Sequence, residues 1–286
     1  MKIGAIVQAR TASTRLPGKI LSELPYHSGI TVLQQVIRRL KKAAGLNEII
    51  VATTINDEDK IIVDAALNEN VGWSRGSADN VLERYYSAAR ESKLDIIVRV
   101  TSDCPCIDPE IVGRVIAEHL ERGSDYTSNS LIGTFPHGMD AEVINFEALE
   151  RAYREATKDY EREHVTPYIY KTKSSMFRIS GLEAPHEFYA PDIRVTLDTE
   201  DDYALLCAVF DYLYPMDEFF GIEDIMSLFR EKPWLRLINR KSIQKKIFES
   251  FEEEAEEAVR ILKLQDLRRV KQFIEDNKNE GRRVHE

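Results

Sequence analysis

The residues best suited to chemistry come early in the chain. From Gln8 to Leu21 the sequence reads Gln-Ala-Arg-Thr-Ala-Ser-Thr-Arg-Leu-Pro-Gly-Lys-Ile-Leu. Arg10, Arg15 and Lys19 are three cations set among small residues, with a Pro17-Gly18 turn before the last. Ala12, Ser13 and Gly18 let backbone N–H groups approach an oxyanion while the cations neutralise it. A triphosphate is a ligand that such a loop can cradle. The loop is not of the Walker type, because that motif's glycine spacing and Lys-Ser/Thr pair are absent. The competing assignment is an ordinary basic surface loop.

Two acids can complete such a site. Asp103 follows the apolar run Asp95 to Val100 and precedes Cys104-Pro105. Asp198 ends the run Ile193-Arg194-Val195-Thr196-Leu197. Magnesium is satisfied by one or two protein carboxylates, with phosphates and waters for the rest, so this pair suffices to hold Mg²⁺. Both aspartates also precede predicted helices, and a helix cap is the alternative for each. Cys104 and Cys106 lack a partner cluster and read as small core residues rather than a metal pair.

The elements that position these residues follow from hydrophobic period. Ile3 to Val7 reads as a buried strand, and Thr31 to Lys42 as a helix with apolar Val32, Leu33, Val36, Ile37 and Leu40. Glu48 to Thr53 is a second strand. Asn56 or Asp57 is expected to cap a helix that ends near Asn70, followed by a short strand near Val71 to Trp73. Asp79 or Asn80 opens the next helix, Asp95 to Val100 is a strand, and Pro109 starts a helix to about Glu121. Alternating strands and helices imply right-handed crossovers and a mostly parallel sheet covered on both faces, an α/β fold. Ligands of such sheets bind beyond the strands' carboxyl ends. The first loop, Thr53-Thr54 and Thr101 to Cys106 all fall there.

From Ser124 the alternation loosens. Thr134 to Ile144, Phe177 to Gly181 and Ile193 to Leu197 read as strands. Helices are expected at Phe146 to Ala156, at Glu161 to Lys171, and from Thr199 or Glu200 through Tyr212. Residues of about 124–197 are expected to form a subdomain over the acceptor end of the cleft, within a domain of residues 1–237. From 238 the chain changes character. Ile247, Phe251, Ala255, Ala258, Leu262, Leu267, Val270 and Ile274 recur every three or four residues. This predicts a C-terminal helical extension, one long amphipathic helix or a helical hairpin, packed on its own domain or serving as a homodimer contact.

The run Ala9-Arg10, then Ala12-Ser13-Thr14-Arg15-Leu16-Pro17-Gly18-Lys19, resembles the signature of sugar-activating cytidylyltransferases, the group of CMP-3-deoxy-manno-octulosonate and CMP-sialate synthetases. The pattern through about Asp202 is more similar to the spore-coat polysaccharide biosynthesis protein F branch. The resemblance implies a Rossmann-like nucleotidyltransferase sheet, CTP as donor and metal aspartates at Asp103 and at Asp198, before a Thr199-Glu200-Asp201 helix start. Arg75-Gly76-Ser77 then matches the second nucleotide segment, with Gly76 and Ser77 bringing backbone to the base and Arg75 near base or phosphate. Gln8, Ala9, Ser13 and Thr53 join that nucleotide set. Without the resemblance, residues 75–84 read as a helix cap with flanking charge. Pro136-His137-Gly138-Met139-Asp140-Ala141-Glu142 and Arg162-Glu163-His164-Val165-Thr166-Pro167 resemble branch-specific motifs. They imply an anionic acceptor held by His137, Arg162, His164 and Arg194, with Asp140 or Glu142 orienting a hydroxyl; a Glu163–Arg194 salt bridge is the structural alternative. One departure stands out. Octulosonate enzymes carry a Gln-Gly-Asp-Glu-Pro-like segment where this chain has Thr101-Ser102-Asp103-Cys104-Pro105, keeping only the aspartate and proline.

Bulk properties bound these readings. The 286 residues carry a net charge of −10, which argues against a nucleic-acid binder with its basic footprint. Neither a signal peptide nor a membrane-spanning run is expected, and three cysteines are too few for a disulfide framework, so a cytoplasmic protein is expected. The sequence thus predicts a Mg²⁺-dependent transfer of CMP from CTP to a small anionic acceptor. Two alternatives are a nucleotide-sugar-dependent glycosyltransferase, for which the Asp-x-Asp metal motif is missing, and a non-catalytic nucleotide-binding scaffold.

Overall fold

The computed structural model describes residues 1–242 and 251–281. The chain divides into two compact units, Met1–Ser242 and Ile243–Glu286. Among the described residues, seven strands form one sheet: β1 Ile3–Gln8, β2 Glu48–Thr54, β3 Gly72–Gly76, β4 Ile96–Thr101, β5 Tyr126–Ser128, β6 Glu142–Asn145 and β7 Ile179–Gly181. Their order is β3-β2-β1-β4-β6-β5-β7. The pairs β1–β2, β1–β4, β2–β3 and β5–β7 are parallel, and β6 runs antiparallel to β4 and β5. The chain winds outward from β1 to β3 and then returns to the other side of β1 as β4. That reversal opens a crevice at the carboxyl ends of β1 and β4.

The helices of this unit are α1 Val32–Leu40, α2 Lys60–Asn68, α3 Val81–Glu91, α4 Pro109–Arg122, α5 Phe146–Glu155, α6 Asp159–His164, α7 Glu200–Leu213 and α8 Ile222–Glu231. Local chemistry sets several starts. Thr31 and Gln34 form a capping box on α1, Asn80 accepts from Glu83 N on α3, and Asp108 with Pro109 begins α4. The central strands are apolar throughout because both faces are covered. Along β1, Ala5 and Val7 enter a core with α1, α4, α7 and α8, while Ile6 enters a second core with α3 and α5.

Three expected elements differ. Of residues 134–144 only Glu142 to Ile144 pair as strand, within β6. Ile193 to Leu197 is not a sheet strand; it forms an isolated bridge between Arg194 and His137. Its backbone bonds go to loops: Val195 N donates to His137 O at 2.8 Å and Leu197 N to Asp103 O at 2.9 Å. The helix expected over Glu161 to Lys171 is broken in two: α6 ends at His164, and a π-helical stretch over Tyr168–Thr172 follows Pro167. The break falls at Val165, which takes φ 73, two residues before Pro167, whose ring disfavours helix in the residue before it. Residues 124–197 contribute β5, β6 and β7 to the same sheet.

In the second unit, α9 Phe251–Leu264 and α10 Arg268–Gly281 are joined through a turn in which Asp266 has φ 57. Ile247, first in the expected apolar stripe, lies outside the described residues.

Candidate active site

The crevice is lined by two loops that start side by side. Gln8 is in register with Thr101, and Ser102 N donates to Gln8 O at 3.3 Å. The first loop closes on itself, Gly18 N donating to Thr11 O at 2.9 Å. Gly18 adopts φ 69, a backbone shape that side chains disfavour. Lys19 follows at once, opening a short 3₁₀ turn whose Ile20 is buried in the core.

Three distant stretches then meet at one ammonium. Lys19 Nζ donates to Asp103 Oδ2 at 2.6 Å and to Asp198 Oδ1 at 2.8 Å. Arg15 Nη2 lies 2.8 Å from Asp198 Oδ1, and Arg194 Nη2 lies 2.6 Å from Asp198 Oδ2. Burial alone would raise the Asp198 carboxyl, but Lys19, Arg194 and Arg15 outweigh it and hold it down at about 2. Burial likewise opposes the charge on Lys19, yet Asp103 and Asp198 raise its pKa overall.

Behind this pair Asp202 is fully buried and collects donors. Arg194 Nε reaches it at 2.9 Å, Asn239 Nδ2 at 2.9 Å, and the backbone N–H groups of Asp198 and Thr199 at 3.0 Å each. Burial raises its pKa, and the Arg194 bonds more than reverse that. Asp202 therefore fixes Arg194, which in turn fixes Asp198. Neither Asp103 nor Asp198 is a helix cap: Thr199 caps α7 and Asp108 caps α4.

Two carboxylate oxygens converging on one cation also suit Mg²⁺, a hard ion that takes one or two carboxylates alongside phosphates and waters. Lys19 occupies the point of convergence as a stand-in cation. Among the described residues no group of three or more His, Cys, Asp or Glu could hold a metal. The donor set therefore fits a metal shared with phosphate, not an all-protein cage.

Of the residues expected to contact nucleotide, Arg10 is exposed, and its charge reaches the buried Arg84. Ala9 is buried beside β2, its N–H donating to Ala52 O at 3.0 Å, and Ser13 is half-buried in the loop. Thr53, expected among the nucleotide contacts, is fully buried, with no partner for its hydroxyl. Arg75 spends its guanidinium on the backbone, donating to Thr54 O at 2.8 Å and Asn56 O at 2.7 Å. Gly76 packs closely on α3, and Ser77 serves that helix's start, its hydroxyl accepting from Asn80 N at 3.2 Å.

The acceptor set divides. His137 and Arg194 are bridged through the backbone, and His137 Nδ1 lies 3.1 Å from Asp140 Oδ2. Glu142 belongs elsewhere. Both its oxygens are taken in a buried cluster, one by Arg99 and the other by the Tyr126 hydroxyl at 3.1 Å. It neutralises Arg99, which also donates to Gln8 Oε1 at 3.3 Å. Arg162 and His164 lie on α6, where Arg162 donates to Ala156 O at 3.3 Å. Arg194 pairs with Asp198 and Asp202. Sequence reasoning missed Arg99, Asp202 and Asn239. The capping box from Thr199 to Asp202 is the one local signal that pointed to any of them.

A cytidylyltransferase family profile matches residues 4–253. An uncharacterised protein of Methanocaldococcus jannaschii is 37% identical over 256 residues, spanning 88% of this chain and 100% of that protein. The spore coat polysaccharide biosynthesis protein SpsF of Bacillus subtilis is 35% identical over 210 residues, spanning 72% of this chain and 85% of that protein. The solved structure of a cytidylyltransferase from Leptospira borgpetersenii matches with a TM-score of 0.77 at 31% identity, covering 87% of this chain and 99% of that one.

Proposed function

The chain belongs to the cytidylyltransferase family, and from that premise we propose that it transfers CMP from CTP to an anionic sugar or polyol acceptor in the supply of surface-polysaccharide precursors. The observation that carries this reading is the Lys19 ammonium held between Asp103 and Asp198 at the sheet's carboxyl edge. An acceptor hydroxyl oxygen attacks the α-phosphorus of CTP and loses its proton to solvent. The bond from that phosphorus to the β-phosphate bridging oxygen breaks, and pyrophosphate leaves with the electron pair. Arg10, Arg15 and Lys19 neutralise the triphosphate and the leaving group. Mg²⁺, when bound at Asp103 and Asp198, neutralises charge on phosphate oxygens. Arg194, His137 and Asp140 face the acceptor, with Arg162 and His164 as further candidates for its anionic group. Positioning and fixed charge supply the catalysis, so no covalent nucleophile is needed.

The spore coat relative's role in polysaccharide biosynthesis supports the acceptor class. A cytoplasmic homodimer belongs to the same proposal. Among the described residues no helix is long and apolar enough to cross a membrane. The test is pyrophosphate release from CTP, ATP, GTP and UTP with a panel of sugar acids, sugar phosphates and polyol phosphates. Release with CTP and one acceptor class is expected. Preference for another nucleotide would overturn the cytidylyl assignment, and CTP binding without release across the panel would favour a scaffold.

A further inference from the structure

We propose that Asp59 is a positioning residue, holding the opening loop in the shape that presents Arg10, Arg15 and Lys19 to nucleotide phosphates. The proposal rests on the reading of that loop as the nucleotide cradle. Asp59 stands at the N-cap position of α2, where an aspartate ordinarily accepts from its own helix, yet it makes no capping bond. Its carboxylate reaches across to the loop instead. Oδ1 accepts from both Thr11 N and Thr11 Oγ1 at 2.7 Å. Oδ2 accepts from the Thr54 hydroxyl at the end of β2. Thr54 Oγ1 in turn accepts from Asn56 N at 3.2 Å, which orients its proton toward Asp59.

The bonds continue into the site. Thr11 O receives Gly18 N at 2.9 Å, closing the loop immediately before Lys19. A path of hydrogen bonds therefore runs from β2 through Asp59 and Thr11 to the base of the residue that bridges Asp103 and Asp198. Asp59 is 1% exposed, so water does not compete for these bonds. A carboxylate suits this set of donors better than an amide. Three donors arrive at two oxygens, and an asparagine has only one acceptor atom, so one side would face an N–H₂ donor. Asp59 touches no substrate in this arrangement; it acts through the loop.

The test uses the full chain with Asp59→Asn, Thr11→Val and, as control, Asp57→Asn, whose side chain in the same turn is 90% exposed. Amide hydrogen exchange, CTP binding by calorimetry and thermal melting are measured on each. For Asp59→Asn we expect exchange at Thr11 and Gly18 to rise about tenfold or more, with β1 and β4 amides little changed. The CTP dissociation constant should rise by about tenfold, the loss of one charge-assisted bond. Thr11→Val keeps the backbone bond and should shift both readouts in the same direction by less, which covers the case in which Asp59→Asn does not fold. Asp57→Asn should leave both unchanged. Unchanged loop exchange, or a lower melting temperature with unchanged CTP affinity, would make Asp59 a structural residue only and overturn the proposal. Failure of the wild-type chain to bind CTP would sink the proposed function instead, and the exchange measurement would still decide whether Asp59 anchors the loop.

Discussion

Lys19 has one ammonium and two competing tasks. Without ligand it neutralises Asp103 and Asp198; in the proposed reaction it turns to phosphate oxygens. Opposite effects on two ligands are therefore expected of Lys19→Ala. Loss of a charge-assisted phosphate contact should weaken CTP by about 1.5–3 kcal/mol, roughly ten- to hundredfold in Kd. Two facing carboxylates left without their cation should bind Mn²⁺ more tightly than the wild type when no nucleotide is present. Calorimetry with each ligand alone checks this, and unchanged Mn²⁺ affinity would separate Lys19 from the metal position. Asp198 offers a second test at this scale. Its folded pKa of about 2 lies below the ordinary 3.8, so its contribution is present above pH 3.8 and is lost as pH falls through about 2. That difference corresponds to about 2 kcal/mol. Asp198→Asn should be less stable than the wild type by about that much at pH 7, with the gap closing toward pH 2 in urea unfolding. An equal gap at both pH values would assign the loss to packing. Lys19, Asp103 and Asp198 stood out in sequence because each is a charged residue beyond an apolar run. Asp202 showed only as the N3 residue of a capping box, which does not reveal its hold on Arg194, and Asn239 lies in no motif because it acts through another side chain.

At the scale of elements, β1, β2 and β4 announced themselves as continuous apolar runs, as strands buried on both faces must. Ile193 to Leu197 has the same alternation for a different reason. Ile193, Val195 and Leu197 fill the first core, while Arg194 and Thr196 face the site, and loops rather than strands supply the backbone partners. Period alone does not separate these cases. Gly138 makes the loop pairing feasible. It adopts φ 105, and a Cβ there would lie 2.7 Å from the backbone of Val195 and Thr196. Gly133 has φ 66 with nothing near its missing side chain. Gly138→Ala should therefore cost about 1–3 kcal/mol and more than Gly133→Ala, whose only penalty is its own backbone. It should also impair turnover more than CTP binding, since His137 and Arg194 lie on the two paired segments. Equal urea midpoints for the two variants would mean that the close approach carries no energy.

At the scale of the whole chain, the net charge of −10 argued against a nucleic-acid partner but carried no information on where the first unit ends. The sequence changes character from about Ile238, and the first compact unit runs to Ser242. The intervening residues matter through polar side chains that leave no periodic signal. Asn239 donates to Asp202 Oδ1 at 2.9 Å and to Arg194 O at 3.0 Å, and Ser242 Oγ meets Thr199 Oγ1 at 2.8 Å. Two truncations should therefore behave differently. A chain ending at Ser242 keeps every named site residue and both cores, and should bind CTP with the affinity of the full chain. A chain ending at Leu237 loses the Asn239 donor from a fully buried carboxylate, an unmet bond that costs about 1–3 kcal/mol. Asp202 then holds Arg194 less firmly, and Asp198 drifts from Lys19, so CTP affinity should fall along with melting temperature. Sedimentation of the full chain and the longer truncation tests the proposed dimer separately: if the full chain is a dimer, the truncation locates the contact. A monomer that still binds CTP would assign association to the extension, a dimer of unchanged stoichiometry would place the contact within Met1–Ser242, and equal CTP affinity in the two truncations would remove Asn239 from the chain of contacts that sets the site.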